Sequence, residues 1–250
     1  MIELKNLYAG YSKKDVLKNI NMRFDKGEIV SVIGPNGSGK STLIQCCTGI
    51  LKPTSGEIII DGKSISEYKE KSLARTVSYL PQINPVASIT VRSLVMHGRF
   101  PYLGYPRRYS KEDREIAENA IAAVGIEDIA DKPLSELSGG QQQKAHIAMR
   151  LAQDTDYIFF DEPTTYLDIK YQLEFAGLTK RLRDSGKAVI AVLHDINAAF
   201  TNSDKIAVID NGELAFFGTP ESAAKSGAVE DVFGVKLLES EFGQYFFTEK

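Results

Sequence analysis

Cysteine and histidine are both scarce in this chain of 250 residues. The two cysteines, Cys46 and Cys47, are adjacent, and a disulfide between neighbours would be strained. We therefore expect two small buried thiols in a reducing compartment and no disulfide framework. Of the three histidines, His97 and His146 have no cysteine or carboxylate at the spacing of metal ligands, so neither predicts a metal site.

Long apolar runs and an excess of positive charge are also missing. The longest unbroken apolar run, Ala188–Leu193, has six residues, whereas a membrane-spanning helix needs about 20. The first residues, Met1–Lys5, contain no basic region followed by an apolar stretch, so we expect no secretory signal. The chain has 30 lysines and arginines against 33 aspartates and glutamates, a net charge of −3. This balance gives no electrostatic reason to expect a nucleic acid as the main partner.

The rest of the composition, 43% hydrophobic and 25% charged, is that of an ordinary globular protein and excludes disorder and fibrous structure.

Apolar and polar residues partly alternate over Val16–Phe24, which predicts a half-buried strand. Glu28–Ile33 is a nearly continuous β-branched run, typical of a buried strand. A glycine-rich loop and a predicted helix, Ser41–Ile50, follow directly, and Glu57–Ile60 predicts a further strand.

Helical signals dominate the middle of the chain, residues 90–154. Ser110 can cap a helix whose apolar stripe ends at Gly125. Strands return towards the C-terminus, two of them joined by the hairpin signal Asn211-Gly212. The segments predicted there are the strands Tyr157–Phe160, Ala188–Leu193, Ile206–Ile209 and Leu214–Phe217, and the helix Pro220–Phe233.

The order of these elements predicts a single interrupted domain. We find no internal repeat and no low-complexity segment in the sequence. We therefore expect one α/β core, about residues 1–85 and 153–250. It is interrupted by a mostly helical subdomain, about residues 86–152.

A glycine-rich segment between the second predicted strand and the helix matches the phosphate-binding pattern G-x-x-x-x-G-K-[ST]. It consists of Gly34, Pro35, Asn36, Gly37, Ser38, Gly39, Lys40, Ser41 and Thr42. Its glycines let backbone N–H groups turn inward around phosphate oxygens at a helix N-terminus. Lys40 is then expected to reach the terminal phosphates, and the Ser41 hydroxyl to bind Mg²⁺. The alternative is a glycine-rich turn without a ligand, which the number of matching positions and the strand-to-helix context disfavour.

The second chemical segment, Tyr157–Pro163, is an apolar strand that ends in two carboxylates. Open α/β folds bind ligands at this carboxyl edge of the sheet. We expect Asp161 to hold Mg²⁺, directly or through water, and Glu162 to polarise the attacking water. An acidic helix start after a strand is the plainer alternative.

The third segment, Leu137–Lys144, is a polar helix N-terminus that contains two glycines. Ser138 is placed near the cap, and free N–H groups behind it suit a second phosphate site. The phosphate-site residues predicted here are Ser138, Gly139, Gly140 and Gln141. A capped helix without a ligand is the alternative.

Together the three segments resemble the ATP-binding-cassette family of ATPases, and the resemblance covers nearly the whole chain. Smaller motifs of that family also find matches. Tyr11 stands where the family stacks an aromatic ring on adenine, and Gln82 matches the Q-loop glutamine, which makes it a predicted Mg²⁺ residue. Thr165–Asp168 matches the D-loop, in which Asp168 is a predicted nucleotide-site residue. His194 matches the histidine beside the γ-phosphate and, with Glu162 and Gln82, forms the predicted catalytic set.

The resemblance implies a P-loop core with an antiparallel β part and a helical subdomain. It also implies two copies head to tail, with each ATP and its Mg²⁺ between the P-loop of one copy and Ser138–Gln141 of the other. Two separate membrane permease subunits and, indirectly, a solute-binding protein are the implied partners. The expected location is then the cytoplasmic face of the cell membrane.

The closest resemblance is to the ATPases of bacterial importers for iron chelates, haem or cobalamin. It rests on Gly98–Tyr102 and on the compact length. Two alternatives stay open: an ATPase of a soluble machine such as iron–sulfur assembly, and a non-hydrolysing nucleotide-binding module. The presence of Glu162 and His194 argues against the second.

The segment Arg99–Tyr109 combines three arginines with four aromatic residues. These residue types are enriched at protein interfaces, so the segment predicts a surface that docks another protein. A solvated loop is one alternative. A platform for single-stranded nucleic acid is another, which the acidic composition disfavours.

Overall fold

The computed structural model describes residues 1–12, 14–82, 88–164, 168–240 and 245–249. The strands are β1 (Ile2–Tyr11), β2 (Lys14–Phe24), β3 (Ile29–Ile33), β4 (Ser55–Ile60), β5 (Lys63–Ser64), β6 (Val77–Leu80), β7 (Tyr157–Asp161), β8 (Ala188–Val192), β9 (Lys205–Asp210), β10 (Glu213–Gly218), β11 (Val235–Glu239) and β12 (Tyr245–Glu249). The α-helices are α1 (Lys40–Cys47), α2 (Glu70–Thr76), α3 (Val91–His97), α4 (Lys111–Ala123), α5 (Gly139–Ala152), α6 (Ile169–Asp184), α7 (Ile196–Asn202), α8 (Pro220–Ser226) and α9 (Ala228–Phe233).

A six-stranded sheet forms the centre of the molecule, in the order β10-β9-β3-β8-β7-β6. All neighbours are parallel except β10, which forms the antiparallel hairpin with β9 that Asn211-Gly212 predicts. Every residue of β3, β7 and β8 is buried. Along β7, Phe159 joins the apolar cluster that contains α1, whereas Phe160 joins the cluster that contains α6. The sheet is therefore covered on both faces, as parallel sheets require.

A second sheet, in the order β2-β1-β4-β5, is antiparallel and shares the apolar cluster of α1. Phe24 of β2 meets Phe159 of the central sheet edge to face, with 5.9 Å between ring centroids. Both cysteines are buried free thiols in this cluster, as predicted, and burial raises the pKa of Cys46 to about 12. The implied combination of a parallel core and an antiparallel β part is confirmed.

Between the core strands β6 and β7, the helices α3, α4 and α5 pack on one another around an apolar cluster of their own. The predicted cap at Ser110 is present and forms a capping box with Asp113 of α4. Asp113 also accepts a hydrogen bond from the Arg99 guanidinium at 2.9 Å, and both side chains are buried. Among the described residues, no helix is both long and apolar enough to cross a bilayer.

The C-terminal segment differs from the prediction of one helix over Pro220–Phe233. The structure has two helices, α8 and α9, separated by Gly227. The backbone of Gly227 is left-handed, with φ 72°, and this conformation ends a helix. The hairpin of β11 and β12 follows and packs Tyr245 and Phe247 against Phe200 of α7.

Candidate functional site

The phosphate-binding segment forms the tight connection between β3 and α1. Gly37 and Gly39 have φ 78° and φ 108°, values that side chains disfavour. A Cβ on Gly34 would lie 2.1 Å from the backbone oxygen of Ile209, so only glycine fits there. Gly39 precedes Lys40 without any side-chain cap, which leaves the first N–H groups of α1 available to an anion.

Two groups of this loop are prepared for a ligand. The Lys40 ammonium donates to the backbone oxygens of Gly34 and Pro35 at 2.8 and 2.9 Å. Burial lowers the pKa of Lys40, and the nearby Glu162 and Asp161 carboxylates act against that shift. The buried Ser38 hydroxyl has no hydrogen-bond partner within the described part of the chain. An orphaned buried hydroxyl in a glycine-rich anion cradle fits a phosphate oxygen.

The predicted cation residues lie together behind the loop. The Ser41 hydroxyl donates to Asp161 Oδ1 at 3.2 Å, and Asp161 is buried at the end of β7. Burial raises the pKa of Asp161, and hydrogen bonds from Ser41 and Tyr79 oppose that rise. A hydroxyl and a carboxylate are the oxygen ligands that Mg²⁺ prefers. In the described ranges no group of three or more His, Cys, Asp or Glu side chains is placed to hold a metal, so phosphate oxygens and water would have to complete the shell.

The three predicted catalytic residues converge from the ends of β6, β7 and β8. Glu162 Oε1 lies 2.6 Å from His194 Nε2, and Glu162 Oε2 accepts from the Gln82 amide at 2.5 Å. The Glu162 backbone is left-handed, with φ 52°, which is rare for a residue with a long side chain. This conformation is held by its N–H, which donates to the Val192 oxygen. Strain of this kind concentrates at functional sites.

Tyr11 lies at the end of β1 with 49% of its surface exposed. Its hydroxyl donates to Gln45 Oε1 of α1 at 2.7 Å. The Tyr11 ring is therefore accessible to a ligand, and the hydrogen bond to Gln45 fixes the position of its hydroxyl group. Its stacking on adenine stays a prediction.

The third segment, Leu137–Lys144, uses more of its own hydrogen-bonding groups internally than we predicted. Ser138 caps α5, and the Ser138 and Gln141 side chains each bond the other's backbone N–H in a capping box. The Gln141 N–H is thus used within the cap, and the N–H groups of Gly139 and Gly140 remain for a phosphate. Asp168 caps α6 by accepting the Tyr171 N–H at 2.8 Å. Thr165–Leu167, the rest of the D-loop match, lies outside the described residues.

A cavity of about 550 Å³ is bordered by Ser138, Gly140, Gln141 and Asp168. None of the described residues of the phosphate-binding loop lines it. The structure thus gathers Gln82, Glu162 and His194 beside Lys40, Ser41 and Asp161. It places the Ser138 segment on a different surface of the same chain.

Comparison with known proteins agrees with this arrangement. The family model described as ABC transporter matches residues 17–165. This chain belongs to the ABC transporter family. Two relatives are the petrobactin import ATP-binding protein YclP of Bacillus subtilis (strain 168) and the ferric enterobactin transport ATP-binding protein FepC of Escherichia coli (strain K12). YclP is 42% identical over 239 residues, which are 95% of this chain and 94% of YclP. FepC is 36% identical over 236 residues, 94% of this chain and 87% of FepC.

A solved ABC cassette has the same fold: the dimeric MJ0796, bound to ADP and Pi in a post-hydrolysis state. It is 31% identical with a TM-score of 0.78, and the match covers 88% of this chain and 99% of the other. The expected family and fold are confirmed, and the chain is an ATPase of the ABC type.

Two contacts of this ABC ATPase were not predictable from its motifs. Lys144 of α5 forms an ion pair of 2.6 Å with Glu174 of α6. Tyr79 of β6 donates its hydroxyl to Asp161 Oδ2 at 3.2 Å. The only sequence signal for Tyr79 is its place three residues before Gln82.

Proposed function

We propose that this chain is the ATP-hydrolysing subunit of an importer for an iron chelate of the siderophore type. The observation that carries the proposal is Glu162, held between Gln82 and His194 beside the phosphate-binding loop. The relatives named for petrobactin import and ferric enterobactin transport support the class of cargo. Residues 1–85 and 153–250 would form the nucleotide-binding core, and residues 86–152 the helical subdomain.

Hydrolysis follows from the placement of the charged groups. The N–H groups of α1 and the Lys40 ammonium bind the phosphate oxygens, and Lys40 balances the charge that develops during transfer. Ser41, Asp161 and Gln82 would hold Mg²⁺, which would neutralise part of the charge on the phosphates. Glu162 orients or deprotonates the attacking water, and His194 contacts the γ-phosphate.

Both oxygens of the Glu162 carboxylate have partners within the chain, His194 and Gln82. Each carboxylate oxygen has two lone pairs, so Glu162 can still accept a hydrogen bond from an attacking water. We propose that the contacts with Gln82 and His194 orient the carboxylate towards this water.

We propose that the ATP sites are completed by a second copy of the chain. The Ser138–Gln141 segment and the phosphate-binding loop face different surfaces of one chain. A two-fold, head-to-tail dimer brings the Ser138–Gln141 segment of each copy to the loop of the other. Both sites then consist of the same two surfaces.

We further propose that a permease docks at a cavity of about 530 Å³ between α2 and the start of the helical region. Lys71, His97, Arg107 and Arg150 contribute to its lining, and the Arg107 guanidinium stacks over Phe100 at 4.6 Å. Two permease subunits would place the ATPase dimer at the cytoplasmic face of the membrane, and a solute-binding protein would act on the permeases from the other side. Arg99, in contrast, is buried and paired with Asp113, so it is not part of this surface.

Reconstitution tests the proposed function. The chain is co-expressed with candidate permease subunits, purified from membranes and placed in lipid vesicles. Uptake of a ferric siderophore should require ATP and should be lost when the ATPase carries Glu162→Gln. An ATPase that hydrolyses ATP but never co-purifies with a membrane partner would contradict the transport proposal and favour a soluble machine.

A further inference from the structure

Both oxygens of the Asp161 carboxylate are hydrogen-bonded, and the two partners differ in role. Oδ1 accepts the Ser41 hydroxyl at 3.2 Å, and Oδ2 accepts the Tyr79 hydroxyl at 3.2 Å. Ser41 is a predicted cation ligand, whereas Tyr79 belongs to none of the motifs. Tyr79 therefore holds the carboxylate from the side opposite to Ser41.

The contacts continue from Tyr79 away from the cation site. The Gln45 side chain of α1 lies near the Tyr79 hydroxyl, and Gln45 Oε1 accepts the Tyr11 hydroxyl at 2.7 Å. A primary amide offers both donors and an acceptor, so Gln45 is able to interact with both tyrosines at once. Tyr11, Gln45, Tyr79 and Asp161 thus form a chain of neighbouring polar groups.

The available protons fix the direction of every bond in this chain. The Asp161 carboxylate only accepts, so the Tyr79 hydroxyl donates to it. The oxygen of Tyr79 can then accept from the Gln45 amide nitrogen, which leaves the Gln45 carbonyl for the Tyr11 proton. Each hydroxyl proton therefore has one acceptor, and these four residues connect the predicted nucleobase site to the predicted cation site.

We infer that Tyr79 is a positioning residue for the Mg²⁺ carboxylate, and that Gln45 couples this carboxylate to Tyr11. The inference rests on the proposed binding of Mg²⁺ and ATP. The Tyr79 hydroxyl occupies Oδ2 and so turns Oδ1 towards Ser41 and the cation. Without that hydroxyl, the buried carboxylate would have an unpaired oxygen and would be free to rotate away from the Ser41 hydroxyl.

The substitution Tyr79→Phe removes one hydroxyl and keeps the ring that packs against the core. ATP affinity is measured by equilibrium binding, once with Mg²⁺ and once with EDTA. We expect affinity with Mg²⁺ to fall about tenfold, because a hydrogen bond to a charged group is lost. Affinity in EDTA should stay within about twofold of the wild type, because no phosphate contact changes.

Gln45→Leu provides a second, independent variant on a different element. It should reduce affinity for ATP with Mg²⁺ about threefold, as expected for the loss of neutral hydrogen bonds. The double variant should lose less than the product of the two single effects, because both act through the same chain. Fully multiplicative effects would show that Gln45 does not act through Tyr79.

Tyr68→Phe is the matched control. The Tyr68 hydroxyl is also half-buried and hydrogen-bonded, but to the backbone oxygen of Ile60, and its ring packs against the same core. This control should bind ATP as the wild type does in both conditions, and thermal unfolding checks that all variants are folded. Equal losses with Mg²⁺ and with EDTA, or no loss in Tyr79→Phe, would overturn the inference while leaving the proposed function intact. Wild-type protein that fails to bind ATP with Mg²⁺ would overturn both.

Discussion

Glu162 and His194 face each other across the carboxyl edge of the central sheet, with 2.6 Å between Oε1 and Nε2. They are 32 positions apart in the chain, but they follow the neighbouring parallel strands β7 and β8. Parallel pairing brings the ends of such strands to the same edge, and this edge also holds the phosphate-binding loop after β3. The topology of the sheet therefore assembles the site from residues that are distant in the sequence.

Glu162→Gln should bind Mg²⁺ and ATP and barely hydrolyse it. The amide keeps the size of the carboxylate and one acceptor oxygen but cannot accept a proton from water. Gel filtration with ATP should then show a stable dimer with trapped nucleotide. Glu221→Gln is the matched control, because Glu221 is exposed and pairs with Lys225 of its own helix. Hydrolysis by Glu162→Gln at the wild-type rate would mean that another group activates the water.

Lys40→Ala should fold and lose ATP affinity by ~10²-fold or more. A charge-assisted phosphate contact exceeds 1.4 kcal/mol, and each 1.4 kcal/mol is tenfold in affinity. The Lys40 ammonium donates hydrogen bonds to two backbone oxygens of its own loop, so it already points into the phosphate-binding loop. Equilibrium binding of ATP measures the loss, with Lys225→Ala as the exposed-lysine control. Normal affinity in Lys40→Ala would contradict the assignment of the loop.

The motifs anticipated the site better than local patterns anticipated the fold. Phosphate chemistry restricts residue types strongly, so the motifs and their strand context pointed to Lys40, Asp161 and Glu162, and the structure brings these three residues together. Strand β1 was not predicted, because a register shift after Leu4, where Asn6 has φ 46°, interrupts the alternation of apolar residues.

Contacts between residues that are distant in the sequence explain the other differences between the predictions and the structure. Arg99 was assigned to a docking surface on composition, but Asp113, 14 positions later, draws it into a buried ion pair. No local pattern reveals such a partner. The same holds for Tyr79, whose contact with Asp161 depends on the pairing of β6 with β7.

Arg99→Ala should destabilise the protein by about 3–5 kcal/mol, because it leaves the buried Asp113 carboxylate without its cation. The guanidinium also stacks on the Tyr102 ring at 3.8 Å and bonds the Ala152 oxygen, so several contacts are lost together. Denaturant unfolding measures the effect. Arg108→Ala, an exposed arginine of the same segment, should stay within about 0.5 kcal/mol of the wild type. Equal effects of the two substitutions would contradict a structural role for Arg99.

Replacing Arg107 and Arg108 together with Ala should leave ATP binding by the free subunit within about 0.5 kcal/mol of the wild type. Arg107 lines the proposed docking cavity, and neither residue belongs to the phosphate-binding loop. The same change should weaken assembly with the permeases or uncouple hydrolysis from uptake. Lys111→Ala, a nearby exposed cation, is the control. Reduced ATP affinity with normal assembly would move this segment into the nucleotide site, and normal uptake would make it a solvated loop.

His146 of α5 should make stability depend on pH between about 4 and 6.5. Its side chain is 6% exposed, and its Nδ1 has no partner among the described residues. Burial, with a smaller contribution from the Arg150 charge, lowers the pKa of His146 to about 4. The unfolded chain binds this proton near pH 6.5, so it carries more protons than the folded chain in that window, and stability falls as the pH falls through it. At most about 3 kcal/mol of stability is lost by pH 4, and below that pH this contribution stays constant.

Denaturant unfolding at several pH values measures the effect. The free energy of unfolding of His146→Gln should decline less steeply with falling pH than that of the wild type. His97→Gln, at an exposed histidine, should keep the wild-type slope. An unchanged slope in His146→Gln would show that His146 is protonated in the folded protein.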